Sequence, residues 1–373
     1  MNKEIKKTKR NSSIELLRIL MMMQIIFLHI SDYGEYTNFA RSTGGATELI
    51  YWILWLNSRC PVYVFVVIMG YFLSTSKPEF KIDRILKCYL PMYFYAIIIP
   101  LMCMIVRPGV LDKAQIMRSF FPLLSRTWYF MTLYLLVLIL SPFINMVIQK
   151  LDRKHYFILI GICFFLFSIW QPLSALEPFY KIISIKKIFF TQQGKSLYDF
   201  IYMYLLGGFL RKHHIFKKHE DASDTSIWQK PWPYLIGFIG LGLLNVLLVY
   251  IYPNDSIVSI VGYNDNPLAV LQCICIFRTF EKMDLSKYEK IGTVINYISA
   301  GNLGIYMIHE HPIIRPFIWH KILHMDNPDF YSSKIYLLKF VVIILLVYSV
   351  CWIIDWFRRM AFTFIQKKAQ KDR

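Results

Sequence analysis

The sequence is short of charge, and of acid above all. Only 18% of its 373 residues are charged, and 24 Asp and Glu stand against 42 Lys and Arg. Soluble domains carry about a quarter charged residues, so this composition excludes an ordinary soluble globule. The seven cysteines (Cys60, Cys88, Cys103, Cys163, Cys273, Cys275 and Cys351) contain no C-x-x-C pair. That lack argues against both a zinc site and a disulfide framework. Each thiol lies in or beside an apolar run and reads as a small buried hydrophobe. No internal repeat, low-complexity tract or appended soluble domain is visible. No small-x-small cleavage site follows the apolar stretch behind Lys3, Lys6, Lys7, Lys9 and Arg10, so that stretch reads as a retained first helix.

Apolar runs fill the chain instead. Hydrophobic residues make up 56% and aromatics 17%, and the mean hydropathy is +0.42. A helical span needs about 20 apolar residues, with a range of roughly 17–25. Segments 14–30, 49–73, 85–106, 128–148, 156–173, 197–210, 234–252, 266–281, 301–323 and 335–357 qualify as candidates. The expected fold is all-α: a polytopic integral membrane protein of about ten transmembrane helices. Residues 1–373 form one membrane domain, with a basic cytoplasmic tail (1–13) and a cytoplasmic C-terminal tail (358–373).

The net charge of +18 sits in short loops. It therefore reads as a topology signal rather than as a nucleic-acid surface. With the N-terminus inside, the inner loops hold Lys77, Lys81 and Arg84, then Lys150, Arg153 and Lys154, then basic runs in 211–233 and 282–290. The outer loop 253–265 has no Lys or Arg, while 107–127 and 174–196 have four each, more than the rule prefers. The balance predicts both ends cytoplasmic in a cell membrane.

Ionisable groups inside spans are expensive and mark candidate function. Arg18 and His29 share the first span, eleven residues apart. They lie nearly on one helix face, ~16 Å apart along the axis. Glu15 is placed to pair with Arg18, and Asp32 to orient the His29 imidazole. A second cluster, Tyr306, His309, Glu310, His311, Arg315 and His320, occupies the ninth segment. His309 and His311 point to different helix faces, so no metal site is expected. The bland reading of Glu310, His311 and Arg315 is a set of ion pairs at a helix end. Arg84 and Lys87 form a basic pair at the start of the third span. Trp128 and Tyr129 read as interfacial aromatics, and Asp355 with Arg358 and Arg359 as a surface ion pair.

These motifs resemble those of the membrane-bound acyltransferase-3 family. The first span reads Arg18, ten residues, His29. The run Pro61–Ser74 is similar to the family's second span, with Met69 where Ser is usual. Asp83-Arg84-Ile-Leu-Lys87 before Leu90-Pro91 resembles its R-x-x-R helix start. Lys87 departs from Arg there and loses the bidentate fork. Thr127-Trp128-Tyr129-Phe130 and Gly304-Ile305-Tyr306-Met307-Ile308-His309 resemble two further signatures. The resemblance implies an O-acyltransferase that moves an acyl group, most simply acetyl, from acyl-coenzyme A (acetyl-CoA) to a hydroxyl of a bacterial capsular or other cell-surface polysaccharide, or of its lipid-linked precursor. Acyl-coenzyme A is then a co-substrate, and no bound cofactor is implied. Arg18, Arg84 and Lys87 would hold its phosphates. His29 would be general base or acyl acceptor, and Tyr306 or His309 would donate to the oxyanion. A glycan or lipid-linked sugar transporter is the rival reading, and a structural membrane subunit the next.

Overall fold

The computed structural model describes residues 10–174, 176, 181–184, 192–213, 227–252 and 255–371. The lysines before Arg10, most of loop 174–196 and most of the 211–233 loop lie outside these residues. Among the described residues every regular element is helical.

Helix α1 (Ser12–Tyr33) starts where the Asn11 side chain accepts hydrogen bonds from the Ser13 and Ile14 backbone N–H groups. Its 22 residues give about 33 Å, enough to cross a hydrocarbon core of ~30 Å. The next span is broken. α2 (Gly45–Asn57) and α3 (Pro61–Leu73) are separated at Ser58–Arg59–Cys60, just before Pro61. α4 (Ile82–Val106), α5 (Tyr129–Lys150) and α6 (Arg153–Cys163) follow. Then come α7 (Leu197–Lys212), α8 (Trp232–Ile251) and α9 (Pro267–Lys282). The last are α10 (Glu289–Ser299), α11 (Asn302–His309) and α12 (Tyr336–Lys371).

Eight described stretches are long and apolar enough to cross a membrane. α7 and α9, with 16 residues each, are shorter than such a stretch and lie inside the protein. The nine consecutive α7 residues Tyr202 through Leu210 are all buried. A helix apolar on every side belongs at the centre of a bundle. Gly70 of α3 and Gly207 of α7 set the closest crossing. A Cβ at Gly70 would stand 2.1 Å from the Tyr204 carbonyl oxygen, and one at Gly207 would stand 2.2 Å from that of Val67. Small residues let membrane helices approach in this way.

The ninth expected span is displaced. Residues 301–323 are not one helix; the crossing runs from Glu289 to His309 through α10 and α11. The break between them falls at Gly301, where Trp352 packs and its indole Nε1 donates to the Ile298 carbonyl at 2.8 Å. α11 stops at His309 because Pro312 follows His311. A residue before proline avoids the helical region, and the ring has no N–H to continue the ladder.

Two further sequence readings are corrected. Trp128 is buried, with its ring 5.1 Å from that of His311, so it is not an interfacial aromatic. Asp355 is also buried, not at the surface. It accepts from the Tyr95 hydroxyl at 2.9 Å and pairs with Arg358 at 2.8 Å and Arg359 at 2.9 Å. This cluster ties α12 to α4. It also borders α11, since a Cβ at Gly304 would stand 2.0 Å from Asp355 Oδ1.

Candidate functional site

α1 and the α10–α11 crossing run in the same direction. Ser12 lies against Gly292, and Ser299 donates to the Glu15 carboxylate near the start of α1. Near its end, His29 meets His309. α3, α5, α7 and α9 run the other way. Arg59, before α3, pairs with Asp32, while Tyr71 near its end bonds Glu281 near the end of α9. The bundle therefore has a Ser12 end and a Tyr33 end, and His29 lies near the second.

Three side chains converge there. His29 Nδ1 lies 3.2 Å from Glu310 Oε2 and 3.1 Å from His309 Nε2. His309 Nδ1 lies 2.6 Å from the Ile305 carbonyl oxygen. A carbonyl only accepts, so His309 Nδ1 carries the proton and donates it to Ile305. In neutral His309, Nε2 is then an acceptor. His309 Nε2 accepts from His29 Nδ1, and Glu310 Oε2 beside it is also an acceptor atom, which puts the His29 proton on Nδ1 and leaves the lone pair on Nε2. The tautomer follows from these partners.

Glu310 is itself held in place. The Tyr33 hydroxyl donates to Glu310 Oε1 at 2.8 Å, and Arg315 Nη1 reaches the same oxygen at 2.9 Å. Arg315 also donates to the Tyr33 hydroxyl at 3.0 Å, its guanidinium 4.4 Å from the Tyr33 ring centroid. The His29 and Glu310 side chains are only 12% and 11% exposed. A positive charge that develops on His29 is therefore weakly screened from Glu310. The Glu310–Arg315 pair is present, but His311 takes no part in it. Its Nδ1 accepts from the Ile313 N–H at 3.2 Å. Burial lowers the His311 pKa to about 3, so the ring stays neutral.

The Tyr306 ring stands 6.1 Å from that of His309 and 5.5 Å from that of Phe130. Among the described residues its buried hydroxyl has no hydrogen-bond partner, nor has Trp128 Nε1. Such orphaned donors are rare in folded proteins, and each is free to serve a ligand. Neutral His309 has no N–H left over for an oxyanion, so Tyr306 is the better-placed of the two expected donors.

Asp32 does not hold the imidazole. Its Oδ1 lies 3.7 Å from Arg59 Nη2 and accepts from Trp55 Nε1 at 3.4 Å. Glu15 bonds Ser299 rather than Arg18. Arg18 faces the protein, and its charge acts on Cys88 of α4 and Tyr134 of α5. Its Nε is buried and has no partner among the described residues. Arg84 and Lys87 occupy the α4 turn that carries Cys88. Arg84 donates to Ser76 at 3.4 Å, and Lys87 is exposed. The basic group and the imidazole thus share one inward stripe of α1 at two depths. Among the described residues no group of three or more His, Cys, Asp or Glu could hold a metal.

A family model described as an acyltransferase domain, Acyl_transf_3, matches residues 11–356. The chain belongs to the acyltransferase-3 family. No curated protein and no solved structure matches it. It is a membrane acyltransferase, and residues 11–356 span both ends of the α1 stripe and the His29–His309–Glu310 cluster. Sequence reasoning missed Tyr33 and Arg59. Tyr33 stands four residues after His29, at helical contact spacing, and Arg59 is a lone charge in an apolar run. Both signals were present.

Proposed function

We propose that this acyltransferase moves an acetyl group from acetyl-CoA to a hydroxyl of a cell-surface glycan or its lipid-linked precursor, with His29 Nε2 as general base. The single observation that carries this reading is the hydrogen-bonded row from Ile305 through His309 to His29, with Glu310 beside it. It is the arrangement that a base needs: one nitrogen held and the other bare.

The donor enters from the Ser12 end, taken as cytoplasmic, with both chain termini on that side. Its phosphates meet Arg18, Arg84 and Lys87. The thioester then lies ~16 Å further along α1, beside His29. The acceptor hydroxyl attacks the thioester carbonyl as His29 Nε2 takes its proton. Glu310 stabilises the imidazolium, and the Tyr306 hydroxyl donates to the carbonyl oxygen as it gains charge. The C–S bond breaks, and the thiolate leaves with the proton returned from His29 Nε2.

The test is labelled acetyl-CoA supplied to membranes, with label counted on glycan. Wild-type protein should transfer label, and His29→Ala at equal expression should not. Transfer by His29→Ala removes His29 from the chemistry. Glycan movement without transfer would instead favour a transporter.

A further inference from the structure

A second set of polar groups surrounds the Tyr33 end of the site, and the acyl-transfer chemistry above does not use it. Arg59 sits at the break between α2 and α3. It is 8% exposed, and its Nε and Nη2 make no hydrogen bond among the described residues. Its guanidinium lies 3.7 Å from the centroid of the Trp55 ring, and Trp55 donates to Asp32. The ion pair with Asp32, at 3.7 Å, is long for a charge-assisted hydrogen bond. The Asp32 side chain is 39% exposed, so this pair borders open space.

Lys195, just before α7, is exposed, and its amine lies 5.4 Å from the Tyr129 ring centroid. Among the described residues no carboxylate lies within ion-pair distance of it. The charges of Asp32 and Lys195 act on His29, and those of Asp32, Arg59 and Glu310 act on Lys195, so these groups share one neighbourhood. The other cations there are committed. Arg315 pairs with Glu310, and Arg126 donates to Gln192 Oε1 and to the Lys195 carbonyl.

Among the described groups the Tyr33 end therefore holds two loosely committed cations against one half-neutralised carboxylate. A buried guanidinium with unmade hydrogen bonds is costly unless a ligand completes them. A planar fork pinned over an indole suits a bidentate oxyanion better than a neutral hydroxyl.

We infer that the acceptor carries an anionic group, a carboxylate or a phosphate, which Arg59 and Lys195 bind while a neighbouring hydroxyl meets His29. This rests on the acyl-transfer reading and adds the chemical class of the acceptor. A bare hydroxyl-bearing sugar would leave Lys195 without an anion and Arg59 with only its long contact to Asp32.

The test uses the full-length protein in nanodiscs with acetyl-CoA and three acceptors. These are a hexuronate-bearing oligosaccharide, its carboxyl-reduced neutral form, and an oligosaccharide bearing glycerol phosphate. The expected result is a kcat/KM at least about tenfold higher for one or both charged acceptors than for the neutral one. Which charged acceptor wins separates carboxylate from phosphate. Arg59→Gln and Lys195→Gln should bring the charged-to-neutral ratio towards one, and Arg59→Lys should restore part of it. Restoration by Lys reports charge rather than folding. Equal use of the charged and neutral acceptors by the wild type overturns the inference, and so does an unchanged ratio in Arg59→Gln. No transfer to either charged acceptor, in protein that still releases coenzyme A, overturns the acceptor assignment and leaves acyl transfer standing. Loss of coenzyme A release as well overturns the transfer reading itself.

Discussion

His309 Nε2 lies 3.1 Å from His29 Nδ1, and the two residues come from crossings 280 positions apart. Because the Ile305 carbonyl fixes the His309 proton on Nδ1, this contact also fixes which nitrogen of His29 is bare. Replacing His309 by Phe keeps a ring and removes the acceptor. The loss of one hydrogen bond to a group that becomes charged costs about 1.5–3 kcal/mol, a fall in kcat of about 10- to 150-fold. The KM for acetyl-CoA should stay unchanged, since the proposed phosphate anchors lie elsewhere. Steady-state kinetics with varied acetyl-CoA check this, and an unaltered kcat contradicts it.

Glu310→Gln removes the charge beside His29 and keeps an oxygen for the Tyr33 hydroxyl. General acid–base catalysis contributes about 10²–10⁴-fold, and the expected loss in kcat lies in that range. The same kinetics with Arg315→Gln should show a smaller loss, because Tyr33 still holds Glu310.

Arg18→Gln tests the other end of the stripe. It should raise the KM for acetyl-CoA about 10-fold or more, the worth of one hydrogen bond to a phosphate. Turnover at saturating donor should change less. A normal KM would take Arg18 out of donor binding.

Much of this was legible in the sequence. Arg18 and His29 are related by helical spacing alone, and the structure turns both inward. Tyr306 and His309 are likewise three residues apart on one helix. Contacts between distant parts of the chain were not legible. Asp32 has the right spacing to reach His29, but nothing local shows that Arg59 and Trp55 hold it. The hydropathy of 301–323 hid the stop at Pro312 and the polar start of the true crossing at Glu289. Asp355 read as a surface residue because its neighbours Arg358 and Arg359 are charged. Tyr95, its third partner, lies 260 positions away.

The Asp355 cluster gives a stability prediction. Asp355→Asn leaves Arg358 and Arg359 without their carboxylate, and breaking a buried pair in this way costs about 3–5 kcal/mol. Gly304→Ala forces a methyl group to within 2.0 Å of Asp355 Oδ1, an overpacking cost of about 1–3 kcal/mol. Because Gly304 and His309 share α11, this variant should also lose activity. Thermal unfolding in detergent, run beside the transfer assay, reads both effects. A wild-type Tm for Asp355→Asn would contradict the pairing.

The most direct measurement is the ¹⁵N NMR spectrum of the His29 ring in ring-labelled protein near neutral pH, assigned by its absence in His29→Ala. The expected spectrum shows a protonated Nδ1 and an unprotonated Nε2. A protonated Nε2 with a bare Nδ1 would contradict the assignment of Nε2 as the base.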